Sequence, residues 1–222
     1  MNSALVFGAT SGIGKCIAES LAGQYRVKGI GRDISKASIQ GVELIECDLQ
    51  DEAQERKLLD SIECPDVIIF SAGSAYYGLH ENIDGKAIEE MVNVDLLSPM
   101  RVANHYLNRM KQRKSGHLIF ISSVTSDSVN PHGACYGACK AGLRSFARSL
   151  FEEVRKHDIK ITLITPDLTD TALYRNANFG VDKDLVLKPQ DVAEAVTFAL
   201  NKPGNVDVFE ISVRPMRNAI IK

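Results

Sequence analysis

The sequence contains no tryptophan and no long apolar run. Segments such as Val67–Phe70 fall far short of the roughly 20 apolar residues that cross a bilayer as a helix, so no membrane partner is expected. An excess of one charge is missing too. With 26 Lys and Arg against 28 Asp and Glu, the formal net charge is −2, which argues against nucleic acid as the main partner. The five cysteines are scattered and odd in number, which suits reduced thiols in a cytoplasm better than a disulfide framework. Cys135 and Cys139 share helical spacing, but no nearby His or acidic cluster completes a metal site, and they read as small packing residues. Met1-Asn-Ser-Ala-Leu enters the first apolar segment directly and leaves no room for a signal peptide. There is no Ser/Pro/Gly linker, repeat or low-complexity stretch. A chain of 222 residues, 45% hydrophobic and 24% charged, is expected to form one soluble domain over residues 1–222.

What is present is a regular alternation of two patterns. Ser3–Phe7 is a short apolar run suited to a buried parallel strand, and it leads through Gly8-Ala-Thr-Ser-Gly-Ile-Gly14 into helical apolar spacing over 15–22. Further strands are predicted at 25–31, 42–47, 66–71, 117–122, 159–164 and 206–213. Helices are predicted near 51–62, 84–97, 99–114, 134–156 and 189–201, the last opening on Pro189-Gln-Asp with a proline and an acid in its first turn. This order predicts an α/β fold: a doubly wound parallel (Rossmann) sheet of about seven strands with helices on both faces.

A strand, a glycine-rich turn and a helix make a phosphate cradle. The glycines let the backbone approach a pyrophosphate, and the helix N-terminus offers free N–H groups; an ordinary strand-to-helix turn is the alternative. At the end of the second strand, where an acidic residue would hold the ribose of NAD, stand Gly31 and then Arg32. Gly31 leaves room and Arg32 can pair with a 2′-phosphate, which favours NADP(H) over NAD(H). The alternatives to this reading are that Arg32 merely begins a solvated loop, or that Asp33 serves the ribose hydroxyls instead. Tyr136 and Lys140 are four apart in a stretch of small residues, so a helix puts a phenol and an ammonium on one face. The positive charge would favour phenolate and bring the phenol, ordinarily near ~10, closer to neutral pH.

Taken together these segments resemble the short-chain dehydrogenase/reductase family along nearly the whole chain. Gly8-x-x-x-Gly12-x-Gly14 resembles its cofactor motif, with Phe7 where a Thr is usual. Asp48-Leu49 resembles the pair that meets adenine, and Phe70-Ser71-Ala72-Gly73 stands where the family has Asn-Asn-Ala-Gly. Asn93, the strand ending in Ser122-Ser123, and Tyr136-x-x-x-Lys140 resemble the catalytic set. Pro166-Asp-Leu-Thr-Asp-Thr171 resembles Pro-Gly-x-x-x-Thr, with Asp167 for Gly. Ser123 lies thirteen residues before Tyr136, as the catalytic serine does in relatives; Ser122 is the second choice.

The resemblance implies catalytic Asn93, Ser123, Tyr136 and Lys140. It implies cofactor contacts from Gly8, Thr10, Ser11, Gly12, Ile13, Gly14, Arg32, Asp48, Leu49, Ser71, Ala72 and Gly73, then from Tyr136, Lys140, Pro166, Leu168, Thr169 and Thr171. Hydride would pass between NADP(H) and a small carbonyl or alcohol, with Tyr136 moving the proton, Ser123 holding the oxygen and Asn93 holding a water behind Lys140. Segments 74–79, 124–132 and 168–183 would line the substrate pocket, with Tyr76, Tyr77, His132, Tyr174, Arg175 and Phe179 as its larger side chains and 176–180 as a closing loop. The ending 207–218 resembles members that act on small hydroxy acids or the matching aldehydes. Small residues around the pair, among them Ala134, Ala138 and Ala141, suit a homo-dimer or homo-tetramer. The departures at Phe7, Phe70, Ser71 and Asp167 touch the cofactor site and leave a second reading, an NADP(H)-binding sensor that does no chemistry.

Overall fold

The computed structural model describes residues 1–35, 37–176, 180–217 and 220–221, with backbone alone at 175–176, 180–181 and 220–221. The strands are β1 (Ser3–Phe7), β2 (Arg26–Gly31), β3 (Val42–Glu46), β4 (Val67–Phe70), β5 (Gly116–Ile121), β6 (Ile159–Pro166), β7 (Gly180–Val181), β8 (Glu210–Val213) and β9 (Ile220–Ile221). The helices are α1 (Gly12–Leu21), α2 (Glu52–Ser61), α3 (Gly85–Val92), α4 (Ser98–Arg113), α5 (Ala134–Val154) and α6 (Pro189–Leu200).

Seven strands form one parallel sheet in the order β3-β2-β1-β4-β5-β6-β8, while β7 and β9 pair antiparallel on their own. The inner strands are buried on both faces, which is why they read as continuous apolar runs. On one face Val6, Ile69, Ile119 and Ile164 pack against Ile17 and Leu21 of α1 and Val192 and Val196 of α6. On the other, Leu5, Ile68, Leu118 and Leu163 meet Leu58 of α2, Val102 and Tyr106 of α4 and Leu143 and Leu150 of α5. The order of strands reverses between β1 and β4, and there the chain leaves the carboxyl ends of neighbouring strands in opposite directions, opening a crevice.

Local signals account for most boundaries. Asp51 caps α2 by accepting from the N–H of Ala53 and Gln54, and Asp84 caps α3 through Lys86 N. Asp191 accepts from Lys188 N at 2.7 Å and closes the start of α6 behind Pro189. Two segments differ from expectation. The helix expected over 84–97 is α only to Val92; Asn93–Leu97 is a π-helical turn that runs straight into α4. Pro99 follows this turn and has no N–H for the carbonyl of Asp95, which removes one α-helical bond where the chain switches register. The last strand begins at Glu210 rather than 206, because 206–209 is tied to β6 partly by side chains: Asp207 Oδ2 accepts from Ile161 N and Thr162 Oγ1 donates to Val208 O.

Candidate active site

The turn after β1 brings two backbones together. Gly8 has φ +81°, and a Cβ on it would lie 2.6 Å from the Cα of Ala72 after β4. A Cβ on Gly14 would lie 2.2 Å from Gly8 O, so the first turn of α1 can sit directly on the glycine loop only without a side chain there. Ser11 precedes α1 without a side-chain cap, and the first turn carries no acid. Its N–H groups therefore face the crevice with the positive end of the helix dipole. Ser71 Oγ is buried beside this loop with no hydrogen-bond partner among the described residues.

The crevice is lined by Gly8, Thr10, Ser11, Gly12, Ile13, Gly14, Arg32, Asp48, Leu49, Ser71, Ala72, Gly73, Ser123, Tyr136, Lys140, Pro166, Thr169 and Thr171, all expected from the sequence. Two expected residues do not line it. Leu168 is held in the backbone of its loop, its N–H donating to Asp167 Oδ1 and its carbonyl accepting from Leu187 N. Asn93 opens the π-helical turn, with its carbonyl accepting from Ser98 N, and is not one of the residues that line the crevice. Thr171 closes the other side, its Cγ2 packing over Gly12.

Tyr136 and Lys140 lie on one side of α5, both buried. Ser123 stands beside the Tyr136 hydroxyl and acts to lower it, whereas Ser122 Oγ donates to Lys140 O in the helix backbone. Ser123 is thus the serine that meets the phenol. Lys140 Nζ donates to Ile121 O at 3.1 Å and stands 2.9 Å from Asp95 Oδ1. Asp95 Oδ2 accepts from Ser74 N at 2.9 Å. Burial pushes the Asp95 carboxyl up, and the Lys140 ammonium pulls it back.

This pair changes the electrostatics expected of Tyr136. Burial pushes its hydroxyl well above the ordinary value of 10; Tyr77, Asp95 and Tyr174 push the same way, and Ser123 opposes them. The ammonium expected to lower the phenol is answered by a carboxylate, and lies 5.6 Å from the ring centroid. Tyr77 packs on Tyr136 with centroids 5.8 Å apart, and Tyr174 packs on Tyr77 at 6.2 Å. These rings shut water away from the hydroxyl, and burial pushes Tyr174 itself up to about 12.

At the other end, Arg32 Nη1 stands 3.1 Å from Glu90 Oε1, and Glu90 Oε2 accepts from the Tyr76 hydroxyl at 2.8 Å. Asp33 Oδ1 accepts from both N and Oγ of Ser35, which holds its carboxyl below the usual range.

A family profile described as short chain dehydrogenase matches residues 2–182. The chain belongs to the short-chain dehydrogenase family. An uncharacterized oxidoreductase of Staphylococcus saprophyticus is 32% identical over 228 residues, covering 96% of this chain and 97% of its own. An alcohol dehydrogenase from the archaeon Thermococcus sibiricus, complexed with 5-hydroxy-NADP, superposes with a TM-score of 0.83 at 25% identity over 97% of each chain. Serine dehydrogenase from Escherichia coli shares the fold with a TM-score of 0.83 at 24% identity, over 96% of this chain and 97% of its own. The protein is an oxidoreductase of this short-chain dehydrogenase family.

Two departures from the short-chain dehydrogenase pattern belong to the core and not, as expected, to the cofactor site. Phe7 and Phe70 are in register on β1 and β4, stack at 5.6 Å, and Phe70 stacks on Phe120 of β5 at 4.7 Å. Each aromatic replacement is packed by the other. Ser71 and Asp167 do line the crevice. Arg175 beyond its backbone, Phe179 and the loop 177–179 lie outside the described residues. Asp95 and Glu90 were missed in the sequence reading. An acid inside Met91-Val-Asn-Val-Asp-Leu-Leu97 is the signal for the first: a carboxylate in an otherwise apolar run needs a buried partner.

Proposed function

We propose that the protein transfers hydride between NADP(H) and a small carbonyl or alcohol, with Tyr136 as general acid and base. The observation that carries this reading is that Ser123, Tyr136 and Lys140 stand together in the wall of the crevice that also holds the glycine turn. The crevice fits a dinucleotide. Gly8 and Gly14 keep its floor free of side chains, α1 has no side-chain N-cap, and Ser71 Oγ is a buried polar atom with no partner among the described residues. When bound, the cofactor supplies or takes the hydride.

The remaining chemistry falls to this chain. Ser123 and Tyr136 hold the substrate oxygen, and Tyr136 gives it a proton in reduction or takes one in oxidation. Burial keeps the phenol protonated at neutral pH, ready to donate. Lys140, fixed by Ile121 O and Asp95, keeps a positive charge beside the phenol ring. Asn93 holds a water that returns the proton through Lys140. Tyr77 and Tyr174 exclude bulk water from the reacting oxygen.

The preference for NADP(H) rests on the end of β2. A Cβ on Gly31 would lie 2.3 Å from Thr10 Cγ2, so an acidic ribose ligand does not fit there, and Asp33 is turned into its own loop by Ser35. Among the described residues, Arg32 is the cation at that edge of the crevice. A single domain over 1–222, a cytoplasmic location and a homo-dimer or homo-tetramer belong to the same proposal. Five free cysteines suit a reducing compartment, and exposed Ala134, Ala138 and Ala141 line an open side of α5.

The test follows nicotinamide absorbance with a panel of aldehydes, ketones and hydroxy acids, for the wild type and Tyr136→Phe. Turnover in the wild type and a loss of about 100-fold or more in the variant are expected. Equal rates in both would sink the mechanism. NADPH binding with no turnover on the whole panel would favour the sensor.

A further inference from the structure

We infer that Glu90 sets how strongly the protein prefers NADP(H) over NAD(H), by competing with the cofactor's 2′-phosphate for Arg32. The inference rests on the role proposed above for Arg32.

Glu90 projects from α3 and lines the crevice together with Arg32. One carboxylate oxygen is 3.1 Å from the guanidinium, and the other accepts from the Tyr76 hydroxyl. The Glu90 side chain is 16% exposed and the Arg32 side chain 55%, so the acid is the fixed member of the pair and the guanidinium the movable one. Tyr76 holds the carboxylate from its far side, in the segment that follows β4.

A guanidinium binds phosphate best when its donors are free to form a fork with two oxygens. Here one arm is already engaged by a carboxylate. A 2′-phosphate must displace Glu90 or share Arg32 with it, and sharing places two anions around one cation. A cofactor without the phosphate meets no such conflict: the pair stays closed, and Glu90 remains an acceptor for a neutral hydroxyl. The carboxylate therefore weakens NADPH and leaves NADH almost untouched, narrowing a preference that Arg32 alone would make wide.

Glu90→Gln tests this without disturbing the neighbourhood, because the amide oxygen can still accept from Tyr76. Binding of NADPH and of NADH is titrated calorimetrically at low ionic strength, without substrate, for the wild type, Glu90→Gln, Arg32→Ala and the double variant. Glu90→Gln is expected to tighten NADPH about tenfold and to change NADH by less than about twofold. In the Arg32→Ala background its effect on NADPH is expected to shrink below about twofold. NADPH binding unchanged or weaker in Glu90→Gln, while Arg32→Ala loses its NADPH preference, overturns the inference and leaves the Arg32 role standing. Equal tightening with or without Arg32 overturns it as well, since the effect would then be general charge repulsion. An NADPH preference unchanged in Arg32→Ala sinks the Arg32 role itself.

Discussion

Lys140 Nζ and Asp95 Oδ1 lie 2.9 Å apart, and both side chains are almost without solvent contact. Two charges so deeply buried are stable only together, since each answers the desolvation of the other. Asp95 also accepts from the backbone of Ser74, next to Gly73 in the crevice wall. One carboxylate on a π-helical turn thus joins the ammonium beside Tyr136 to the loop that follows β4.

Asp95→Asn removes half of that pair. The Lys140 charge is then buried without compensation, and urea unfolding is expected to show a loss of about 3–5 kcal/mol. Asp95→Asn with Lys140→Met recovers much of it. A second readout separates electrostatics from packing. Asp95 is one of the groups that raise the Tyr136 hydroxyl, so its neutralisation lowers that group. Reduction needs the protonated phenol, and its rate therefore falls on the alkaline side; in Asp95→Asn that fall moves to lower pH. An alkaline limb that stays in place would show Asp95 to be structural only.

The architecture was legible because the inner strands are mostly apolar, and because Gly8 and Gly14 of the cradle are forced by backbone contacts while Gly12 takes a positive φ. Gly8 and Gly14 carry a spacing that survives in the sequence. Asp95 and Glu90 carry none, because their partners lie 45 and 58 residues away and are set by tertiary packing. The strength of the Tyr136–Lys140 spacing misled in one respect. It identifies two side chains on one face of α5, but the direction of the effect on the phenol is set first by burial, with Tyr77 and then the Asp95 carboxylate of another helical turn acting the same way. Phe7 and Phe70 were misread for a similar reason: taken singly they replace polar residues of a cofactor motif, and only the register of β1 with β4 makes them a stacked pair.

That stack is testable. Phe70 lies between Phe7 and Phe120 with almost no exposure, so Phe70→Ala is expected to cost about 3–5 kcal/mol of stability. Because the rings touch, Phe7→Ala together with Phe70→Ala is expected to cost less than the sum of the single losses. NADPH affinity of folded Phe70→Ala stays within about twofold of the wild type, as neither ring lines the crevice. Denaturant midpoints and cofactor titration read both; a large loss of affinity in a folded variant would return Phe70 to the cofactor site.

His117 gives the protein an acid-sensitive core. Its Nε2 lies 2.8 Å from Thr162 Oγ1, which donates to Val208 O and so accepts from the ring. Burial holds the imidazole neutral and pushes it down to about 3 from 6.5, with Lys160 acting in the same direction. The unfolded chain takes up this proton near pH 6.5 and the folded chain does not, so stability falls as pH drops through the window between those values. Between pH 7 and pH 5 the expected loss from this group is about 2 kcal/mol. Urea midpoints across that range should fall in the wild type and fall less in His117→Gln; parallel curves would refute the assignment.

Ser71 separates binding from folding. Its hydroxyl is buried, lies beside Gly14 and has no hydrogen-bond partner among the described residues, so it carries a desolvation cost that none of them offsets. Removing it by Ser71→Ala relieves that cost, and the cofactor-free protein is expected to unfold at the same temperature or a higher one. A dinucleotide in the crevice would give the hydroxyl the partner it lacks, a gain of about 1 kcal/mol that the variant forgoes. NADPH binding is therefore expected to weaken about fivefold in a protein no less stable than the wild type. Calorimetric titration and a thermal melt on the same sample measure the two effects. A melt lowered together with the affinity would mean that Ser71 serves the fold, and an affinity unchanged would remove it from the cofactor's contacts.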